Sequence, residues 1–307
     1  MSKIKHVIIA HGGGDGVCAA SIAASKLEDP IDIYFTQSYT IEGLILKLLR
    51  TEQKENVRIY ILDIHINDRV VELLKKFNRV IYIDHHSHSI KNQGIFPGNI
   101  GQYKSSSQLS SEYFSNLKSP LATLGTISDK MLSVSGSDPM LEESILLQKS
   151  MICKIDDDGF RTLLVERMSS GLMPSQIPEV LERNRCTDNT INRLMKQADQ
   201  NIIETGKCGI TTLNENVKGF GRQIANNLVA ERDHPVFILY PDTKRDKIVI
   251  IARNNSSLKN NIDLSRFMSI YFSGGGHPNA SGGAIEGINN DGIQMVKDCF
   301  HEFIRSK

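Results

Sequence analysis

Val80-Ile81-Tyr82-Ile83-Asp84-His85-His86 places a four-residue apolar run directly ahead of an aspartate and two histidines. A short run rich in β-branched and aromatic residues reads as a buried strand. Three earlier stretches have the same character: His6-Val7-Ile8-Ile9-Ala10, Asp32-Ile33-Tyr34-Phe35 and Val57-Arg58-Ile59-Tyr60-Ile61-Leu62. Helix-forming stretches lie between the strands, one following Asp15-Gly16, one over Thr40 to Lys54 and one over Asn67 to Phe77, where Asn67 is suited to cap the helix. This alternation predicts a parallel sheet with right-handed crossovers. Such sheets bind ligands beyond the carboxyl ends of their strands.

Beyond Gly101 the pattern turns helical, over Ser107 to Asn116, Pro120 to Ser133 and Leu141 to Ile152. A longer, more polar helical stretch covers Gln176 to Thr205, with Pro178 as an early interruption, and reads as connector rather than core. From Gly209 alternation resumes, with a strand near Ile210, a helix over Gln223 to Arg232 and strands at Val236 to Tyr240 and Lys247 to Ala252. A helix over Asp263 to Tyr271, the glycine-dense Gly274 to Gly283 and a last helix follow. The fold class expected is α/β: an N-terminal parallel-sheet domain over 1–135, a helical linker over 136–206 and a smaller C-terminal α/β domain over 207–307.

A chain of 307 residues exceeds what a single core usually needs. A net charge of +1 excludes a strongly basic coat for nucleic acid, so a polyanionic substrate must be held by local groups and bound metal. The five cysteines are scattered with no Cys-x-x-Cys pair, which argues against a disulfide framework or a cysteine zinc site and fits a reducing, cytoplasmic location. The apolar stretch ending at His11 is too short for a signal or a membrane span, so no membrane partner is expected.

The chemistry lies in where the polar groups fall. His11 and Asp15 follow the first strand, Asp63 ends the third, and Asp84, His85 and His86 end the fourth. In a parallel sheet all of them converge on one edge. Carboxylates and imidazoles gathered without matching lysines and arginines repel one another unless a cation neutralises them, and this donor mixture suits manganese, iron, zinc or, less well, magnesium. His65 and His88 read as loop residues. Gly12-Gly13-Gly14 lacks the Lys-Ser/Thr ending of a phosphate-binding P-loop, so these glycines serve close backbone approach instead. In the C-terminal part, Ser273-Gly274-Gly275-Gly276-His277 predicts a nest of backbone N–H groups for an anion, with His277 and the strand-ending Arg253 as further donors. Tyr34, Tyr39, Tyr103, Phe220 and Phe272 are the candidate base-stacking rings in a chain without tryptophan.

Asp84-His85-His86 together with Gly274-Gly275-Gly276-His277 resembles the DHH/DHHA1 phosphoesterase superfamily, whose members include RecJ-type exonucleases, nanoRNases and exopolyphosphatases. Leu121-Ala122-Thr123-Leu124-Gly125-Thr126-Ile127-Ser128-Asp129 resembles the family's fourth motif in its RecJ-like form, and Asp156-Asp157-Asp158-Gly159-Phe160-Arg161 resembles the linker of small archaeal RecJ-like nucleases. The resemblance implies His11, Asp15, Asp63, His85 and Asp129 as metal ligands, with Asp63 bridging two cations. It implies that Asp84 orients the neighbouring histidines and that His86 contacts the scissile phosphate or moves a proton. Arg253, Gly275, Gly276 and His277 then grip the phosphate or terminal nucleotide. The cofactors implied are two Mn2+ ions, with Mg2+ or Co2+ as substitutes. The partners implied are single-stranded DNA or RNA, or short oligonucleotides, in a replication or repair context.

One position departs from the pattern. Small archaeal relatives read His-Gly-Asp-x-Asp-Gly where this chain has His11-Gly12-Gly13-Gly14-Asp15-Gly16, so Gly13 stands where a carboxylate ligand is expected. Three activities stay open: a metal-dependent exonuclease, a phosphoesterase of 3′-phosphoadenosine phosphate or a cyclic dinucleotide, and a catalytically impaired replication or repair scaffold.

Overall fold

The computed structural model describes residues 4–28, 30–52, 54–114, 119–132, 136, 138–205, 207–255, 262–288 and 291–306. The expected helix ends at Asn116 and Ser133 and the expected boundaries at 135 and 206 lie outside these residues. The chain divides into two compact units, Met1–Asn184 and Arg185–Lys307.

The first unit is built on strands β1 (Lys5–His11), β2 (Ile31–Thr36), β3 (Val57–Leu62) and β4 (Val80–Ile83). All pair in parallel, in the order β2-β1-β3-β4. Helices α1 (Gly14–Ala24), α2 (Ile41–Thr51) and α3 (Asp68–Leu74) make the crossovers, and Asn67 caps α3 by accepting from the Val70 amide at 2.9 Å. Helices α4 (Ser106–Tyr113), α5 (Pro120–Ser128), α6 (Pro139–Ile152) and α7 (Asp158–Ser169) follow.

Alternate residues of each central strand enter different cores. Ile8, Ala10, Tyr60 and Leu62 pack with Val17, Ile22, Leu109, Leu124, Leu147 and Leu164 on one face. Val7, Ile9, Ile59 and Ile61 pack with Ile45, Leu48, Val70 and Leu74 on the other. Burial on both faces is why these strands read as unbroken apolar runs, and each large buried side chain contributes about 1.5–3 kcal/mol.

Two expectations of the helical region are corrected. Pro178 does not interrupt a helix; it opens α8 (Pro178–Asn201), where a missing N–H costs nothing. That stretch is not mere connector either, because Val180, Asn184, Thr187, Ile191, Leu194 and Ala198 form a buried stripe along it. The acidic Asp156-Asp157-Asp158 run starts α7, with the Asp157 side chain accepting from the Phe160 amide at 3.0 Å.

The second unit has strands β5 (Ile203–Glu204), β6 (Gly209–Thr212), β7 (Val236–Asp242), β8 (Lys247–Arg253), β9 (Gly275–His277) and β10 (Ala280–Glu286), in the order β5-β6-β7-β8-β10-β9. Only β6 and β7 pair in parallel among them. Helices α9 (Gly221–Ala230), α10 (Leu264–Tyr271) and α11 (Gly292–Arg305) complete the unit. Phe237, Phe267, Phe300 and Phe303 form the centre of its main core. No helix among the described residues is long and apolar enough to cross a membrane.

Candidate functional site

The carboxyl ends of β1, β3 and β4 bring His11, Asp63, His85 and His86 together, as the parallel sheet requires. Asp63 is the centre. Its Oδ2 lies 3.5 Å from His11 Nδ1 and its Oδ1 lies 3.3 Å from His85 Nε2, so each oxygen faces a different imidazole. His85 Nε2 also lies 3.6 Å from Asp129 Oδ2 at the end of α5. Donor atoms of Asp63, His85 and His86 all fall within 4.8 Å of one another. Ligand atoms each about 2.1 Å from a shared cation stand about 3.0–3.4 Å apart, so the spacing and the donor set both suit a divalent ion.

Asp63 adopts φ 61°, a left-handed conformation that Asp tolerates better than most residues but at a cost of about 1–3 kcal/mol. This twist carries the side chain out of the β3 alternation. Burial alone raises the Asp63 pKa, yet hydrogen bonds from His11 and His85 outweigh it and hold the carboxyl well below its usual range. Burial likewise opposes a charge on His85, while Asp63, Asp15 and Asp129 raise it to about 9. For Asp15, burial and the neighbouring Asp63 push the carboxyl up. Among the described residues no lysine or arginine pairs with Asp15, Asp63, Asp84 or Asp129. A metal cation held among these groups would supply the neutralising charge in place of protons.

Asp15 is fixed by a contact far along the chain. Its two oxygens accept from the amides of Ser106 at 2.7 Å and Ser107 at 3.0 Å, in the first turn of α4. A carboxylate at a helix N-terminus meets unpaired N–H groups and the positive end of the dipole. Ser106 Oγ donates to Asp63 Oδ1 at 3.0 Å, so one turn of helix holds both carboxylates. Sequence reasoning missed Ser106 and Ser107; the signal was the Ser105-x-x-Gln108 capping box, which is present.

Asp84 is fully buried and already satisfied. It accepts from His86 Nδ1 at 2.8 Å, from Tyr82 at 3.2 Å and from Ser89. With Nδ1 engaged by Asp84, His86 leaves Nε2 free of that bond. His65 bonds Ser89 at 3.2 Å, a satisfied loop residue.

Gly13 is extended, at φ −84°, so the backbone admits any residue. A Cβ there would stand 2.9 Å from His11 Nδ1, which means that the imidazole lies in the space the glycine leaves. Arg161 on α7 was also missed as a site-adjacent group. Its Nε donates to the Gly12 carbonyl at 3.0 Å, holding the glycine loop from behind.

In the second unit the glycine segment is not a loop nest. Gly275, Gly276 and His277 form edge strand β9, in register with Gly282, Ser281 and Ala280 of β10. A Cβ on Gly274 would meet the Gly282 carbonyl oxygen at 2.0 Å, so that glycine is needed for strand approach. An edge strand still presents alternate N–H groups outward. Arg253 pairs with Ala280, which pairs with His277, so all three side chains share one face, the outer two about 10 Å apart. Arg253 Nε donates to Asn226 Oδ1 at 3.1 Å. Burial and then Arg222 lower the Arg253 pKa, and among the described residues neither guanidinium has a carboxylate partner.

The DHHA1 domain family matches residues 212–305, a span that holds β7 to β10 with Arg253 and His277. The whole fold also has counterparts. PggH, a pGpG-specific phosphodiesterase from Vibrio cholerae, aligns over 99% of this chain and 99% of its own at 15% identity and a TM-score of 0.63. RecJ from Thermus thermophilus, solved with Mn2+, aligns over 92% of this chain and 49% of its own at 15% identity and a TM-score of 0.56. An exopolyphosphatase-related protein from Bacteroides fragilis aligns over 98% and 92% at 15% identity and a TM-score of 0.53. Residues 212–305 thus match the DHHA1 domain, and the whole chain shares the fold of these phosphodiesterase, RecJ and exopolyphosphatase-related structures. No curated protein sequence matches it.

The candidate stacking rings separate sharply. Phe272 is core, and Tyr34 and Phe220 are half-buried. Tyr39 and Tyr103 are 83% and 93% exposed. Tyr103 lies between Ile100, bridged to Asp84, and Ser106, bonded to Asp63.

Proposed function

We propose that the chain is a metal-dependent phosphodiesterase that hydrolyses single-stranded nucleic acid from an end, or short oligonucleotides. The observation that carries this reading is Asp63, whose two oxygens face one imidazole each at a buried strand end. His11, Asp15, Asp63, His85 and Asp129 would hold two divalent cations, manganese by preference. Bound there, the cations would lower the pKa of a water and offset phosphate charge.

The chain's own residues do the remainder. Asp84 fixes the His86 tautomer, so that Nε2 meets the phosphate or passes a proton. The α4 turn keeps Asp15 and Asp63 in place without reorganisation during reaction. Arg253, the one outward-facing amide of the Gly275–Gly276 pair, and His277 hold a phosphate or a terminal nucleotide. Similarity over full length to a pGpG phosphodiesterase favours short substrates over long single strands.

The test is manganese-dependent hydrolysis of end-labelled substrates, from dinucleotides to single strands, by wild type and His85→Ala. Loss in the variant is expected, and equal activity in both sinks the reading. The scaffold reading is separated by calorimetry, since a scaffold binds no manganese at millimolar metal. Gly13→Asp requires the His11 ring to swing aside. A rise in manganese affinity and activity is expected if a second carboxylate is the missing component.

A further inference from the structure

A cavity of about 300 Å3 opens off the metal-site cluster within the first unit. On one side it is bounded by His11, Asp15, Asp63 and Asp129 and by the Gly12–Gly14 loop. The opposite wall is of a different kind. Gln148, Met151 and Ile152 share one face of α6, Ile155 follows in the next turn, and Arg161 closes the end. Ile152 and Ile155 are half-buried and lie outside the described hydrophobic clusters, so their apolar surface faces the cavity rather than the core. The Arg161 side chain is only 10% exposed, and its described bonds to Gly12, Asp158 and Ile155 use three of its five N–H groups.

We propose that this cavity is a subsite for one nucleoside of the substrate, its flat apolar face against Met151, Ile152 and Ile155 and its polar edge toward Gln148 and Arg161. The inference rests on the phosphodiesterase reading and deepens it by naming the group attached to the scissile phosphate. Size and lining carry the choice. Ligand cavities start near about 300 Å3, apolar with a few converging polar groups, so there is room for one nucleoside and not for a duplex. An inorganic polyphosphate would need cations along this wall, and the wall offers one guanidinium among three apolar side chains. A substrate that fills the cavity therefore carries a base and a sugar next to the phosphate.

The experiment compares adenosine 5′-monophosphate with inorganic phosphate as calorimetric ligands of the full chain in manganese, for wild type, Ile155→Trp and Ile152→Trp. Each substitution fills the cavity from a half-buried position without touching a proposed metal ligand. Expected is at least tenfold tighter binding of the nucleotide than of phosphate by wild type. The tryptophan variants lose that preference while manganese affinity stays within twofold. Wild type binding both ligands equally overturns the subsite, and so do variants that bind the nucleotide as wild type does. If one variant misfolds, seen as lost manganese binding, the other decides. Nucleotide preference without hydrolysis of any phosphodiester leaves the subsite standing and removes the catalytic reading. Hydrolysis of dinucleotides with no change in KM for either variant does the reverse.

Discussion

The two sheets organise polar side chains in different ways. In the first unit the described strands all run in the same direction, so residues far apart in the chain meet where the strands end, and the product is a compact knot of carboxylates and imidazoles centred on the buried Asp63. In the second unit neighbouring strands mostly oppose one another, and Arg253, Ala280 and His277 line up across a face. Parallel pairing concentrates charge at a point, which suits a small ion of high charge. Antiparallel pairing spreads donors along a strip, which suits an extended anion.

The largest test of that contrast is Asp63→Asn. Asparagine tolerates the positive φ, so the fold should survive while kcat falls by about 10²–10³-fold and the manganese enthalpy disappears from calorimetry. Activity above a tenth of wild type would break the idea of a focal cation site. Next in size is metal removal. Manganese at 100 times its Kd adds about 2.7 kcal/mol to the state that binds it. Hydrogen exchange should then show added protection at the ends of β1, β3 and β4 and little along β6 to β8. Equal protection in both sheets would contradict the division of labour.

Arg253→Ala probes the strip. Losing a charge-assisted contact of about 1.5–3 kcal/mol raises KM for a nucleotide substrate roughly 10- to 100-fold, and manganese affinity should not move. A change in metal affinity instead would show that the two regions are not separable. The smallest effect is expected at Tyr103→Ala. One lost stacking contact of about 1 kcal/mol means roughly a fivefold rise in KM for oligonucleotides, and Tyr103→Phe should restore it. No rescue by phenylalanine would argue for a hydroxyl contact rather than stacking.

The parallel sheet was legible because its central strands are buried on both faces and therefore carry nearly unbroken apolar runs. The α3 cap at Asn67 was legible because capping is local. Helix α7 was not, since Asp156-Asp157-Asp158 masks its start and the buried side mixes Phe160, Leu164, Val165 and Met168 with the charged Arg161. The β9–β10 hairpin was hidden because consecutive glycines suggest a loop until a partner strand is found. For the site, position along the strands was enough to gather His11, Asp63, His85 and His86. The support of Asp15 by Ser106 and Ser107 was beyond local reading, because it joins groups 91 and 92 residues apart.

The left-handed turn at Asp63 sets two demands on one codon. Asp63→Gly would relax the backbone, yet it would also leave the Ser106 hydroxyl and the His11 and His85 imidazoles without the carboxylate they face. Asparagine keeps both the tolerance of positive φ and an acceptor oxygen, so a library built to toughen this turn should admit asparagine before glycine and score turnover in the same round.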